Sequence, residues 1–409
     1  MRKMKDSGVE WIGEIPKDWN CMRLKFAFGN SNVGESVDKE LYSSDENGYI
    51  FYTAGANPVK TSYTEFPMWK YTTDNDILLA RNGTPYIYLP SKDAVYSDHI
   101  IRINIKDGYC RRFLRYCLQR SIESIIVDSV SIATWSISLW KEQKLPLPYY
   151  HEQKYLADYL DSKCSKIDEI IEKQQAIIKK LKEYKFSIIT EAVTKGINPD
   201  VELKDSTIDM CEQIPVHWSI SQNRYLFLLR DEKNYKPLEE VRLLSLYTDL
   251  GVFPHGEQEE RGNKAVKAEG YKVVYENDIV VNIILAWMGA IGRSAYDGVT
   301  SPAYDIYKPN ENVCSRYYHY LYRTKPFSAE CYKYGRGIMA MRWRTYSSEF
   351  KSIKVPVPPY IEQCQIADYL DSKCEMLDKT IADRNKAIDI LQEYKKSLIY
   401  EVVTGKKEV

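Results

Sequence analysis

Apolar residues recur along two stretches at the spacing of one helix face. The first carries Leu160, Ile167, Ile171, Ile178, Leu181 and Ile188. The second carries Leu370, Leu377, Ile381, Ile388, Leu391, Leu398 and Val402. Intervals of three, four and seven residues predict an amphipathic stripe on each of two long helices. No proline interrupts either run, and Gly196 and Gly405 stand where a C-terminal cap belongs. Each helix covers about forty residues, or roughly 60 Å at 1.5 Å per residue. One stripe on so long a helix cannot bury itself. The simplest partner is the other helix, giving a two-helix coiled coil within one chain. The alternative is two separate helices, each packed on its own domain, and helix length weighs against it.

The two helices are copies. Ala157-Asp-Tyr-Leu-Asp-Ser-Lys-Cys164 returns unchanged as Ala367 to Cys374, 210 positions later. Leu145-Pro-Leu-Pro-Tyr-Tyr-His-Glu-Gln153 leads into the first and Val355-Pro-Val-Pro-Pro-Tyr-Ile-Glu-Gln363 into the second. Further upstream, Asp6 to Trp19 matches Asp205 to Trp218 at Asp6/Asp205, Ser7/Ser206, Ile15/Ile214, Pro16/Pro215 and Trp19/Trp218. The chain is therefore one unit built twice: lead-in, Ile-Pro-x-x-Trp, globular body, Pro-x-Pro, long helix. An internal pseudo-two-fold makes the helices antiparallel and puts the bodies at opposite ends of the coil. It also docks the first lead-in on the end of the second helix, with Met1 near Val409. The expected fold class is α+β, with domains at 1–148, 149–196 (helix), 197–359 and 360–409 (helix).

The bodies differ where the frame agrees. Asp76 to Ala80 and His99 to Ile105 read as strands in the first, and Arg112 to Ser121 as a helix. In the second, Val241 to Tyr247, Tyr271 to Tyr275 and Asp278 to Asn282 read as strands, and Arg316 to Thr324 as a helix. A shared frame with divergent bodies suggests two readers with different targets.

Composition narrows the chemistry. The 409 residues carry a formal net charge of zero, which excludes a uniformly basic nucleic-acid binder and leaves room for a locally basic one. Nine cysteines without metal-like spacing read as free thiols in a reducing compartment. Neither a signal-peptide core nor a bilayer-length apolar run is present, so a soluble, cytoplasmic protein is expected.

The strongest local basicity is Arg316 to Arg344. There Arg316, Arg323, Lys325, Lys333, Arg336, Arg342 and Arg344 face one acid, Glu330, and are threaded with aromatics through Trp343. Cations neutralise phosphates, while aromatic faces and Arg forks meet bases. Gly335-Arg-Gly337 reads as a flexible loop able to approach DNA. In the first body Arg111, Arg112, Arg115 and Arg120 form a weaker cluster, for which a solvated helix face is the favoured reading. The loops after the Asp76 and Asp278 strands are equivalent by position. They supply Arg81, Asn82 and Thr84 in one body, Trp287 and Arg293 in the other. Lys60 with Thr61, and Arg261 with Lys264, read as lying in polar loops suited to gripping phosphate.

Catalysis leaves little trace. No phosphate-binding loop is present, and the five histidines make no metal spacing. Pro358-Pro359-Tyr360 looks like the end of the Asp/Asn-Pro-Pro-Tyr loop of amino-methylating DNA methyltransferases. Val357 stands where that chemistry needs a polar acceptor, so the prolines read as a rigid lead into the helix.

Together these features resemble the specificity subunit of type I restriction–modification systems. The resemblance rests on the paired Ile-Pro-x-x-Trp motifs, the Pro-x-Pro leads ending in Glu152-Gln153 and Glu362-Gln363, and the duplicated Ala-Asp-Tyr-Leu-Asp helices. Asp76 to Gly83 and Arg342-Trp343 also look like family segments, and the likeness covers nearly the whole chain. It implies two target recognition domains, each reading half of a bipartite double-stranded DNA site, with paired helices fixing the unread gap. It implies no catalysis and no cofactor in this chain, and no membrane. Two methylation subunits using S-adenosylmethionine, and restriction subunits using ATP and Mg, are the implied partners. At Ser129 to Trp135 the sequence departs from the pattern, Thr134 replacing the counterpart of Arg342. A stand-alone methyltransferase or nuclease, and a structural coiled-coil scaffold, are the competing classes.

Overall fold

The computed structural model describes residues 2–43, 48–128, 134–248, 250–256, 268–337 and 343–409. The chain divides into two compact units, Met1–Gln175 with Asn385–Val409, and Ala176–Arg384. Both boundaries fall inside the long helices, so each unit holds part of each helix.

The first unit is built on strands β1 (Phe28–Val33), β2 (Asp76–Ala80), β3 (Ile87–Tyr88) and β4 (Ile100–Ile105), an antiparallel sheet of order β1-β4-β2-β3. Strand β2 is buried throughout, Asp76 included. Its carboxylate accepts from the Thr73 N–H (2.6 Å) and from Asn104 Nδ2 (2.8 Å), so burial leaves it partnered. Helix α1 (Arg111–Asp128) and the 46-residue α2 (Tyr150–Lys195) follow.

The second unit repeats the plan. Strands β5 (Phe227–Arg230), β6 (Ile279–Asn282), β7 (Ile291–Arg293) and β8 (Tyr304–Pro309) form a sheet of order β5-β8-β6-β7. Helices α3 (Ser315–Tyr322), α4 (Lys325–Tyr334) and the 44-residue α5 (Tyr360–Val403) complete it. Tyr317, Tyr318, Leu321, Tyr322 and Phe327 share one core with Ile366, Ala367 and Leu370 of α5. The fold is α+β with two domains and two long helices.

The repeated octapeptide is a docking seat. In the first unit Ala157 and Leu160 are fully buried, while Asp158 and Asp161 each lie 2.6 Å from the Arg112 guanidinium. Tyr116 donates its hydroxyl to Asp161 at 2.7 Å. In the second, Arg316 meets Asp368 and Asp371 at 2.8 Å each, and Tyr320 donates to Asp371 at 2.6 Å. A second clamp repeats beside it. Gln153, 1% exposed, accepts from the Cys110 N–H and donates to the Pro148 carbonyl, both at 2.9 Å. Gln363 does the same for Cys314 and Pro358. The proline lead is thus tied to the helix it introduces.

Within each unit the long helices run antiparallel. In the first, Trp19 Nε1 donates to Glu152 at the start of α2, and the same ring lies against Gly405, just past the end of α5. Further along, Lys395 meets Asp168 at 2.6 Å. In the second, Glu362 at the start of α5 lies by Gly196 past the end of α2, and Lys185 meets Asp378 at 2.6 Å. The first lead-in docks on the end of α5, as symmetry required. Tyr400 and Lys406 both donate to the Ile12 carbonyl, and the Arg2 N–H reaches Glu408 at 2.9 Å. Met1 lies outside the described residues.

Candidate nucleic-acid interface

The two sheets place equivalent loops at equivalent ends. In the first unit residues 81–86 connect β2 to β3. The Arg81 N–H donates to the His99 carbonyl (2.8 Å), and the Trp135 N–H donates to that of Arg81 (2.5 Å). Arg81 Nη1 holds the Asp98 carbonyl at 3.1 Å, and Asn82 Nδ2 lies 2.9 Å from His99 Nδ1. Gly83 turns the loop with φ +67°, and Thr84 is exposed. Arg81, Asn82 and Thr84 are therefore together on one loop. His99 completes the group, although in the sequence it reads only as the first residue of a strand.

In the second unit residues 283–290 connect β6 to β7. Trp287 packs on Tyr332 (5.9 Å), and Tyr332 stacks on Trp343 at 4.9 Å and 22°. Both indoles are anchored, Trp287 Nε1 on the Ile284 carbonyl and Trp343 Nε1 on that of Tyr332, each at 3.0 Å. Met288 and Tyr332 stand about half exposed beside them. Arg336 pairs through its backbone with Arg344, and its guanidinium meets the buried Glu349 at 2.8 Å.

Several expectations need correction. Thr61 is not in a polar loop. With Lys60 it forms strand Val59–Thr61, and its fully buried hydroxyl donates to the Leu41 carbonyl. Arg293 does not share a loop with Trp287. It sits in β7 opposite Ile279, at the far end of the hairpin, held by Asn277 and Glu276. Gly335 caps α4, its N–H on the Cys331 and Tyr332 carbonyls, and a Cβ there would overlap the Trp343 indole, so close packing is what calls for glycine at that position. Much of the basic run from Arg316 is already partnered. Arg316 is taken by Asp368 and Asp371, Arg323 by the Thr248 carbonyl, and Lys333 by Asp209, while Tyr317, Tyr318 and Tyr322 are core. These acids and carbonyls lie outside the run, so counting charge along it missed them. Backbone pairing also revises one correspondence. The Trp135 N–H bonds Arg81 as the Thr345 N–H bonds Ile283, so Thr134 corresponds to Arg344 rather than Arg342. Arg261, Lys264 and Arg342 lie outside the described residues.

Electrostatics mark the seats more than the loops. The paired carboxylates hold Arg112 and Arg316 above the usual arginine range, although burial opposes them. Burial first, then the bond to an aspartate, pushes Tyr116 and Tyr320 up. Burial also lifts the Cys117 and Cys331 thiols, and all nine cysteines are free. Among the described residues there is no group of three or more His, Cys, Asp or Glu placed to hold a metal, and no helix long and apolar enough to cross a membrane.

Residues 16–190 match the family model described as the type I restriction modification DNA specificity domain. Over 439 residues the chain is 25% identical to the putative type I restriction enzyme MjaX specificity subunit of Methanocaldococcus jannaschii, covering 97% of this chain and 96% of that one. It is 23% identical over 428 residues to the MjaVIII specificity subunit of the same organism, covering 97% and 94%. Among solved structures, a chain from a type I R-M system superposes with TM-score 0.68 at 12% identity, covering 96% of this chain and 99% of that chain. The HsdS subunit from Thermoanaerobacter tengcongensis superposes with TM-score 0.50 at 13% identity, covering 96% and 98%.

Proposed function

We infer that this chain is a specificity subunit of a type I restriction–modification system, a reading supported by its likeness to that family model and to two such subunits, and that it reads a bipartite DNA target with one globular body per half. The long helices set the unread gap and dock two methylation subunits. The chemistry belongs to partners: adenine methylation with S-adenosylmethionine, and translocation and cleavage with ATP and Mg. One observation carries the reading. The two units share sheet order and seat, yet their equivalent loops differ in kind. Ala80 lies opposite Ile100 as Asn282 lies opposite Tyr304. Arg81, Asn82 and His99 therefore stand where Ile283, Ile284 and Ala303 stand in the other unit. Equal seats with unequal loops suit two readers of different half-sites, since polar and apolar groups on a loop select different base edges.

The test is to map methylated adenines in cells carrying the assembled complex. Changes in loop 81–86 alter one half of the target and spare the other. Lengthening the 190–196 junction changes the gap and neither half. If both halves change together in either case, modular reading is wrong. A pure scaffold predicts no effect of either change on the target.

A further inference from the structure

We propose that Met288 and Leu285, on the loop that joins β6 to β7, read the 5-methyl group of a thymine in the half-site of the second unit; this deepens the DNA-recognition reading above and rests on it. Asn282 lies opposite Tyr304 as Ala80 lies opposite Ile100, so residues 283–290 hold the place that residues 81–86 hold in the first unit. The eight residues are Ile-Ile-Leu-Ala-Trp-Met-Gly-Ala, with no charged, hydroxyl or amide side chain. The Trp287 indole nitrogen is the single side-chain donor, and it is spent within the loop on the Ile284 carbonyl at 3.0 Å.

Most of the backbone is spent in the same way. The Ile284 N–H donates to Asn282 Oδ1 at 3.0 Å, and the Leu285 N–H to the Asn282 carbonyl at 3.1 Å. The N–H groups of Met288 and Gly289 donate to the carbonyls of Leu285 and Ala286, each at 2.9 Å. The Ala290 N–H returns to the Leu285 carbonyl at 3.1 Å, and the Thr345 N–H takes that of Ile283 at 2.9 Å. The turn Ala286–Met288 packs along α4, where Trp287 meets Tyr332 and Tyr332 stacks on Trp343. With Ala286 buried and Trp287 committed to that stack, Met288 at 52% and Leu285 at 37% are the most exposed large side chains of the loop. A loop so tied presents them in a set orientation, as base reading requires.

The duplex then decides what fits. In the major groove guanine offers two acceptors, adenine an acceptor and a donor, and cytosine a donor. Thymine alone adds an apolar group, its 5-methyl. A loop that has used its polar groups on itself gains by covering that methyl and gains little from the other base edges. The unbranched thioether of Met288 adapts readily to such a surface. The surroundings favour a duplex over an apolar protein face. Arg336 follows Gly335, which packs on the Trp343 indole, and its backbone pairs with Arg344. The Arg336 side chain is 77% exposed while its partner Glu349 is 6% exposed. The cation is thus the member that faces outward, where phosphates flank the bases.

The test uses the full chain assembled with methylation subunits, acting on random-sequence duplex libraries whose methylated members are sequenced. One library carries thymine, and a second carries uracil, which lacks only the methyl group. With uracil the wild type is expected to lose preference at one thymine position of one half about fourfold, the worth of one buried methyl. Met288→Ala is expected to show a comparable loss at the same position with thymine and to be indifferent to uracil, because side chain and methyl act as a pair. Leu285→Ala acts at that position too, and Met288→Leu keeps the preference. Thermal unfolding checks each fold. A wild type that reads both libraries alike overturns the proposal, as does a folded Met288→Ala that keeps both the thymine preference and the response to uracil. Even loss of methylation at every site from folded Met288→Ala overturns it as well, since the patch then holds a partner protein rather than a base. A wild-type complex that selects no bipartite target overturns the recognition reading itself, and this contact with it.

Discussion

Lys395 places its ammonium 2.6 Å from both carboxylate oxygens of Asp168, 227 positions away in the sequence. Lys185 and Asp378 repeat the arrangement in the other unit. The pairs join helix halves that run in opposite directions. Their side chains are 27% and 50% exposed in the first pair, 27% and 59% in the second, so solvent screens them. Lys395→Ala is expected to cost no more than about 1 kcal/mol. Lys395→Asp adds repulsion and costs more, and the exchange Asp168→Lys with Lys395→Asp recovers most of the loss. Thermal midpoints of the four proteins at low and high salt check this, the differences shrinking as salt rises.

The glutamine clamps are worth more, because they are buried. Gln153→Ala leaves the Cys110 N–H and the Pro148 carbonyl without partners inside the first unit. Each orphaned group costs roughly 1–3 kcal/mol. Denaturant unfolding of Gln153→Ala and Gln363→Ala should show comparable losses. Limited proteolysis should place the first in residues 1–175 and the second in 176–384. Equal loss in both regions from either variant would contradict two independent clamps.

The frame was legible in the sequence because its determinants are local and duplicated. An apolar stripe, a Pro-x-Pro lead and a repeated octapeptide each carry their meaning within a few residues. The loops at the sheet ends were only partly legible. That Arg81, Asn82 and Thr84 share one loop could be read because a strand announces the loop after it. That His99 lies beside them could not, because strand pairing brings position 99 next to position 82. Arg316 was misread for the converse reason: its partners Asp368 and Asp371 lie more than fifty positions away, on the next long helix. Thr61 was misread because its hydroxyl partner, the Leu41 carbonyl, belongs to another strand segment. Periodicity reports which face is buried, but it does not report which charge is already neutralised.

The two helix-ending glycines look equivalent in sequence and are not equivalent in space. Gly196 has φ +80°, and a Cβ there would meet Glu362 Oε1 at 3.2 Å and the Trp218 ring at 3.4 Å. Gly405 has φ +71°, but its Cβ would lie 2.5 Å from the Pro16 ring and 3.1 Å from that of Trp19. Gly196→Ala should cost on the order of 1 kcal/mol, the expense of a left-handed residue with a side chain. Gly405→Ala adds a collision with a rigid proline and should cost clearly more, loosening the first lead-in from the end of α5. Thermal unfolding and protease sensitivity of residues 2–19 check both. Equal effects would mean that the Pro16 contact yields without penalty.

His319 gives the second unit an acid-sensitive point. Its ring is closed in by Gly251, by the Arg293 N–H donating to Nδ1 at 3.1 Å, and by the Arg323 guanidinium 3.3 Å from Nε2. Burial first, then the charges of Arg323 and Arg293, lower its pKa from 6.5 to about 3. The unfolded chain therefore takes up a proton that the folded chain refuses. Above pH 6.5 the neutral ring is at no disadvantage and the stabilising contribution is complete. As pH falls from 6.5 toward 3 that contribution is lost progressively, since protonation favours the unfolded state. His319→Gln, which can still accept from the Arg293 N–H, should flatten this part of the profile. The check is the thermal midpoint of wild type and variant measured in steps across that window. The two curves should converge on the acid side, with wild type losing more between the ends. Parallel curves would show that His319 takes its proton as readily in the fold as out of it.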